Sequence, residues 1–116
     1  MPADDIDNLI TEITVDAYGE DEQSTAFLQA FTDEVDTPAT ARVLGAEVEV
    51  FGFDYHDERH GIVARCRRDG TRQELAAADL IFPPDTPAAW IQAAYRRWLG
   101  LKPHPSAMPP GWTPSW

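Results

Sequence analysis

The charge of this chain is divided unevenly along its length, and that division limits what it can fold into. Up to Glu58, sixteen acidic residues face a single base, Arg42; from Arg59 onward, eight bases face four acids. A stretch with such an excess of carboxylates repels itself, which works against a compact state. Either the first half folds against the second and is neutralised at their seam, or its carboxylates hold cations. With 116 residues, there is room for one core that both halves share.

Bulk properties narrow the class further. A net charge of -11 argues against a general nucleic-acid binder or a protein of anionic membrane surfaces, since both polyanions repel it. No apolar run is long enough to span a bilayer, and the opening MPADDIDN is acidic where an export signal carries positive charge. The lone cysteine, Cys66, excludes an internal disulfide and suits a reducing compartment. The expectation is a small, acidic, cytoplasmic protein.

Along the chain, residues 1–8 are polar and read as frayed. Leu9, Ile10, Ile13 and Val15 are too few to separate strand from helix. From Glu20 to about Val35, Gln23, Phe27, Ala30, Phe31 and Glu34 recur at helical spacing, with acids in the first turn and Pro38 beyond the end. The middle alternates like strands. Residues 46–53 place Ala46, Val48 and Val50 on one face and Glu47, Glu49, Phe51 and Phe53 on the other. Residues 61–67 set Ile62, Ala64 and Cys66 against Val63, Arg65 and Arg67. Asp69-Gly70 suits a tight hairpin to a strand at 72–75, and 78–82 reads as a last short strand. Thr86 as cap, Pro87 at the first helical position and Gly100 past the end bracket a second helix bearing Trp90, Ile91, Ala94, Tyr95, Trp98 and Leu99. Residues 102–116 hold five prolines and read as an extended tail. The predicted fold is α+β: an N-terminal helix, a small bent antiparallel sheet of SH3-like partial-barrel type, a C-terminal helix and a Pro-rich tail. A single domain covers 1–101.

Catalytic chemistry has little foothold. Cys66 shares the apolar face of its strand, the setting of an inert thiol. The glycines are scattered rather than gathered into a phosphate-cradling loop, and no serine stands with a histidine–carboxylate pair. The string His56-Asp57-Glu58-Arg59-His60 has its glutamate in the wrong place for a zinc-protease helix. With a distant Cys66 it makes a loose zinc set, and solvent-facing loop histidines are the better reading. Arg65, Arg67, Arg68 and Arg72 crowd one hairpin, but against the net charge they pair more readily with the acidic half than with RNA. The chain does not read as an enzyme.

The carboxylates fall into three groups: Asp16 with Glu20, Asp21 and Glu22; Asp33 with Glu34 and Asp36; Asp54 with Asp57 and Glu58. Helix capping accounts for part of the first group. The second sits at the negative end of a helix dipole, and the third crowds one loop. Calcium takes about six to eight hard oxygens in flexible geometry, so these three groups are its candidate ligands. A helix of this length separates its ends by more than about 20 Å, which requires two sites rather than one. No EF-hand spacing is present. A solvated acidic face is the competing reading.

One stretch adds to this. ITEITVDAYGEDEQSTAF, with Pro38-Ala39, the strand EVEVFGF and a later arginine-bearing strand, resembles the CcbP-type family of small bacterial calcium-binding proteins over roughly residues 9–80. VDAYGEDEQ is its most specific piece. The resemblance implies a compact α+β domain that binds calcium without EF-hands and buffers or senses the ion in the cytosol. It also implies that Asp16, Glu20 and Asp21 lie in the signature stretch. The Trp-rich helix and Pro-rich tail lie outside the likeness. They favour the alternative of an SH3-like protein–protein interaction module without metal, with a partner or a second copy meeting the C-terminal Trp/Pro region.

Overall fold

Asp4 accepts the Asp7 backbone N–H at 2.8 Å and so opens a helix, α1, over Asp5–Ile13. In the computed structural model, which describes residues 4–116, residues 5–8 therefore belong to a capped helix rather than to a frayed end. The expectation for residues 1–3 lies outside the described residues. Arg97, 93 residues beyond Asp4, clamps this first turn from the last helix, meeting Asp4 at 2.6 Å and Asp7 at 3.2 Å.

Helix α2 spans Glu20–Glu34. Four strands follow, β1 Ala39–Val43, β2 Ala46–Tyr55, β3 Ile62–Arg68 and β4 Thr71–Ala76, then a short 3-10 turn at Ala77–Asp79 and helix α3 at Pro87–Trp98. The strands form an antiparallel meander in the order β1-β2-β3-β4. The fold is α+β, with an open four-stranded sheet. Among the described residues, its one step towards closure is a single antiparallel bridge between Arg42 and Ile81. The strand read at 78–82 reduces to that bridge and the 3-10 turn, because Pro83 and Pro84 allow no continuing ladder.

A bulge at Phe51 corrects the alternation read for 46–53. Val50 pairs with Cys66 and Gly52 with Arg65, so one extra residue sits in β2 between them. The insertion shifts the phase of the strand. Phe53 joins Val48 and Val50 in the core, stacked on Phe31 at 4.9 Å, while Phe51 turns outward beneath the Arg72 guanidinium. The β3–β4 hairpin follows the sequence reading: Asp69 and Gly70 both adopt positive φ, +52° and +78°.

Helix α3 is buried all round from Ala88 to Tyr95, making it the central helix rather than an amphipathic surface one. It packs against α1, α2 and the 3-10 turn. Phe27 of α2 meets Tyr95 and Trp98 at 5.5 and 5.2 Å. Gln92, fully buried, donates to the carbonyls of Ala77 and Leu80 and pins the 3-10 turn to the helix. The tail runs extended over the body, held by Ala107 N–H on the Pro84 carbonyl and by a half-buried Trp112 against the core.

Candidate functional site

The loop before α2 positions the first group of carboxylates. Gly19 enters the helix at a φ of +92°, which only glycine adopts readily, and supplies no side-chain cap. Glu22 in the first turn reaches back to accept the Tyr18 N–H at 2.6 Å and ties the preceding loop to the helix. Glu20 and Asp21 remain exposed. They line a cleft of about 280 Å³ with Glu58, which comes from the loop between β2 and β3. Tyr55, Tyr95 and Trp98 form its aromatic wall.

The third group separates in three directions. Glu58 faces the cleft. Asp57 accepts from the His60 backbone N–H and ring Nδ1, both at 2.8 Å, so it closes the loop, and those bonds hold its carboxyl below the usual range. Asp54 stands on the outer face of the sheet with His56 and with Glu74 of β4. His56 Nε2 lies 3.0 and 2.9 Å from the two Glu74 oxygens, and that contact raises the imidazole pKa. The ligating atoms of Asp54, His56 and Glu74 all fall within 4.8 Å of one another, the only such group of three among the described residues.

The second group is dispersed too. Asp33 accepts from Gln29 at 2.8 Å, Glu34 holds the backbone and hydroxyl of Ser115, and Asp36 lines a recess beside Phe82 and Pro83. Asp16 does not line the Glu58 cleft; it lies in an adjoining groove of about 780 Å³ that Asp21, Glu22 and Asp33 also line and that Trp116 borders.

Glu74 is the residue the sequence reading missed. Nothing in RQEL marks it, since it reaches Asp54 and His56 only through the ladders that join β2 to β3 and β3 to β4. Its pairing with Arg65 in the hairpin register was the one signal available. The loose zinc set does not assemble: His60 is turned to Asp57, and Cys66 is buried, with desolvation pushing its thiol up and keeping it inert.

Neutralisation between the two halves is sparse. Arg97 pairs with Asp4 and Asp7, and Arg67 with Glu49. Among the described residues, Asp57 is the only member of Asp16, Glu20, Asp21, Asp33, Glu34, Asp36, Asp54, Asp57 and Glu58 in an ion pair, with His60. The acidic half keeps most of its charge uncompensated.

No family model and no curated protein matches this chain. Among solved structures it is similar to the crystal structure of Anabaena CcbP, with a TM-score of 0.70 and 21% identity over 88% of this chain and 97% of that one. The two share a fold.

Proposed function

We propose that this chain, with the fold of Anabaena CcbP, is a non-enzymatic calcium-binding protein that buffers or senses the ion in the cytoplasm. The observation that carries this reading is the convergence of Glu20, Asp21 and Glu58 on one cleft, from two separate elements and without ion-pair partners among the described residues. Their oxygens are not within 4.8 Å of one another, so binding draws exposed, flexible side chains together around the ion. Calcium tolerates such irregular oxygen shells, whereas magnesium demands a tight octahedron. Because the N-terminus of α2 is positive, affinity must come from side-chain charge. Asp16, on the adjoining groove, adds to the field at the same helix end. The family likeness of VDAYGEDEQ points to this same stretch.

Calorimetric titration of metal-stripped protein tests the reading, with magnesium as control. Saturable calcium binding is expected, weakened by Glu58→Gln and Asp21→Asn and absent for magnesium. Equal small heats for both ions would reduce it to charge screening.

A second reading rests on the groove bordered by Trp116. Ile13, Val15 and Ala30 give it an apolar floor, and Asp16, Asp21 and Asp33 are among its acids. Val15 and Trp116 are left 66% and 49% exposed. This arrangement suits a protein partner whose segment sets an apolar side chain between basic ones. Trp116→Ala should abolish binding of an arginine-rich amphipathic peptide, and unchanged binding would discard the groove as its site.

A further inference from the structure

We infer that Asp54, His56 and Glu74 form a second metal site, one that takes a borderline-soft divalent ion such as Zn²⁺ rather than calcium. The donor set decides the chemistry. Calcium and magnesium take oxygen ligands, while an imidazole nitrogen joined by carboxylate oxygens suits zinc, nickel and copper.

The geometry is close to what zinc needs. In a tetrahedral shell with bonds near 2.0 Å, neighbouring donors stand about 3.3 Å apart. Here the imidazole Nε2 lies 2.9 and 3.0 Å from the Glu74 oxygens, and the three ligating atoms are within 4.8 Å of one another. A few tenths of an ångström of opening on one side and a small closing movement by Asp54 bring all three to an ion. Water completes the shell, since His56 and Glu74 are exposed.

Two further features support the site. Its carboxylates stand on β2 and β4, which flank β3, with Asp54 opposite Val63 and Glu74 opposite Arg65, so two backbone ladders through β3 fix their spacing. Val63, opposite Asp54, is only 7% exposed, so an apolar side chain borders the cluster on that side. Arginine does not occupy the place of the ion either. Arg65 lies over Gly52, its guanidinium 2.9 Å from where a Cβ would stand, and makes no ion pair with Glu74 among the described residues.

Zinc titrated into the full chain, in buffer already saturating in calcium, is expected to bind at one equivalent. His56→Ala and Glu74→Gln should each weaken zinc at least tenfold and leave calcium binding unchanged, while His60→Ala leaves zinc binding unaltered. Cobalt(II) gives a second readout: a visible absorption band of nitrogen/oxygen coordination, lost in His56→Ala. Zinc affinity that survives both His56→Ala and Glu74→Gln in folded protein would overturn the site. So would a zinc heat that calcium saturation removes, because the ion would then occupy the calcium carboxylates. Calcium binding is measured separately, so failure of the zinc site leaves the calcium reading to its own test.

Discussion

The hydroxyl of Tyr95 accepts the backbone N–H of Ile62 at 3.0 Å, in the buried interior, and so joins the central helix to the first residue of β3. The same oxygen stands 2.7 Å from where a Cβ on Gly61 would lie, and Gly61 has a φ of +64°. Burial pushes the phenol pKa up, so it remains a neutral partner at any ordinary pH. The loop carrying Glu58 is therefore fixed to α3 by one bond and one glycine.

Tyr95→Phe removes the acceptor and strands a buried N–H, at an expected cost of about 1–3 kcal/mol. The melting temperature should fall by roughly 4 °C for each kcal/mol in a chain of this size. Because Tyr95 and Gly61 both line the cleft with Glu58, calcium affinity should drop as well. Gly61→Ala should act in the same direction through strain and overlap. Unchanged melting in both variants would remove Tyr95 from this role.

Gln92 gives a sharper case. Its amide serves two buried carbonyls, Ala77 and Leu80, from opposite ends of the 3-10 turn. Gln92→Leu keeps the volume and deletes both bonds, so a loss of about 2 kcal/mol or more is expected. Gln92→Glu is more informative. An ionised carboxylate there is buried without a donor, whereas its protonated form still donates one bond. Thermal unfolding should show this variant less destabilised at pH 5 than at pH 7, and the opposite order would contradict the assignment.

What was legible in the sequence followed local rules. Thr86, Pro87 and Gly100 bracketed α3, and Asp69-Gly70 made the hairpin, because caps and turns are decided by a few neighbouring residues. The first helix stayed undecided between strand and helix, and its first turn read as frayed, since its start depends on one cap, Asp4, in a segment too short for periodicity to speak. Phe53 was assigned to the wrong face because a bulge at Phe51 depends on the partner strand, not on β2 alone. The candidate carboxylates divide the same way. Glu20 and Asp21 were legible as neighbours in a charged turn, but their meeting with Glu58 depends on tertiary packing. Glu34 looked like an unfavourable charge at a helix end until Ser115, 81 residues later, satisfied it.

Glu34→Ala should therefore loosen the tail more than the body. Ser115 loses both its bonds, and Trp116, in T-shaped contact with Trp112 at 6.1 Å, loses its anchor. Limited proteolysis should cut beyond Pro110 several times faster, with the melting temperature moved by no more than a degree or two, as for other exposed polar contacts. Equal cleavage rates would show that Trp112 alone holds the tail.

Acid should weaken the fold through His104. Its Nε2 is buried without a hydrogen-bond partner among the described residues, and desolvation first, then the nearby Arg96 of α3, lowers its pKa from the ordinary 6.5. The Ala78 carbonyl and Asp79, on the 3-10 turn, oppose that shift without cancelling it. A histidine whose folded pKa is depressed binds its proton more tightly when unfolded. Its contribution to stability is full above pH 6.5 and is lost as pH falls through the folded value. His56, raised by Glu74, acts with the opposite sign: its share is full at low pH and is lost as pH rises through its folded value. Asp4 and Asp57, both lowered, matter only in stronger acid. Comparing the parent with His104→Leu cancels these common terms. In chelator-treated protein, denaturant midpoints from pH 7.5 to 5 should decline more steeply for the parent than for His104→Leu. Parallel declines would mean that the His104 ring is hydrated in solution and titrates as an ordinary surface histidine.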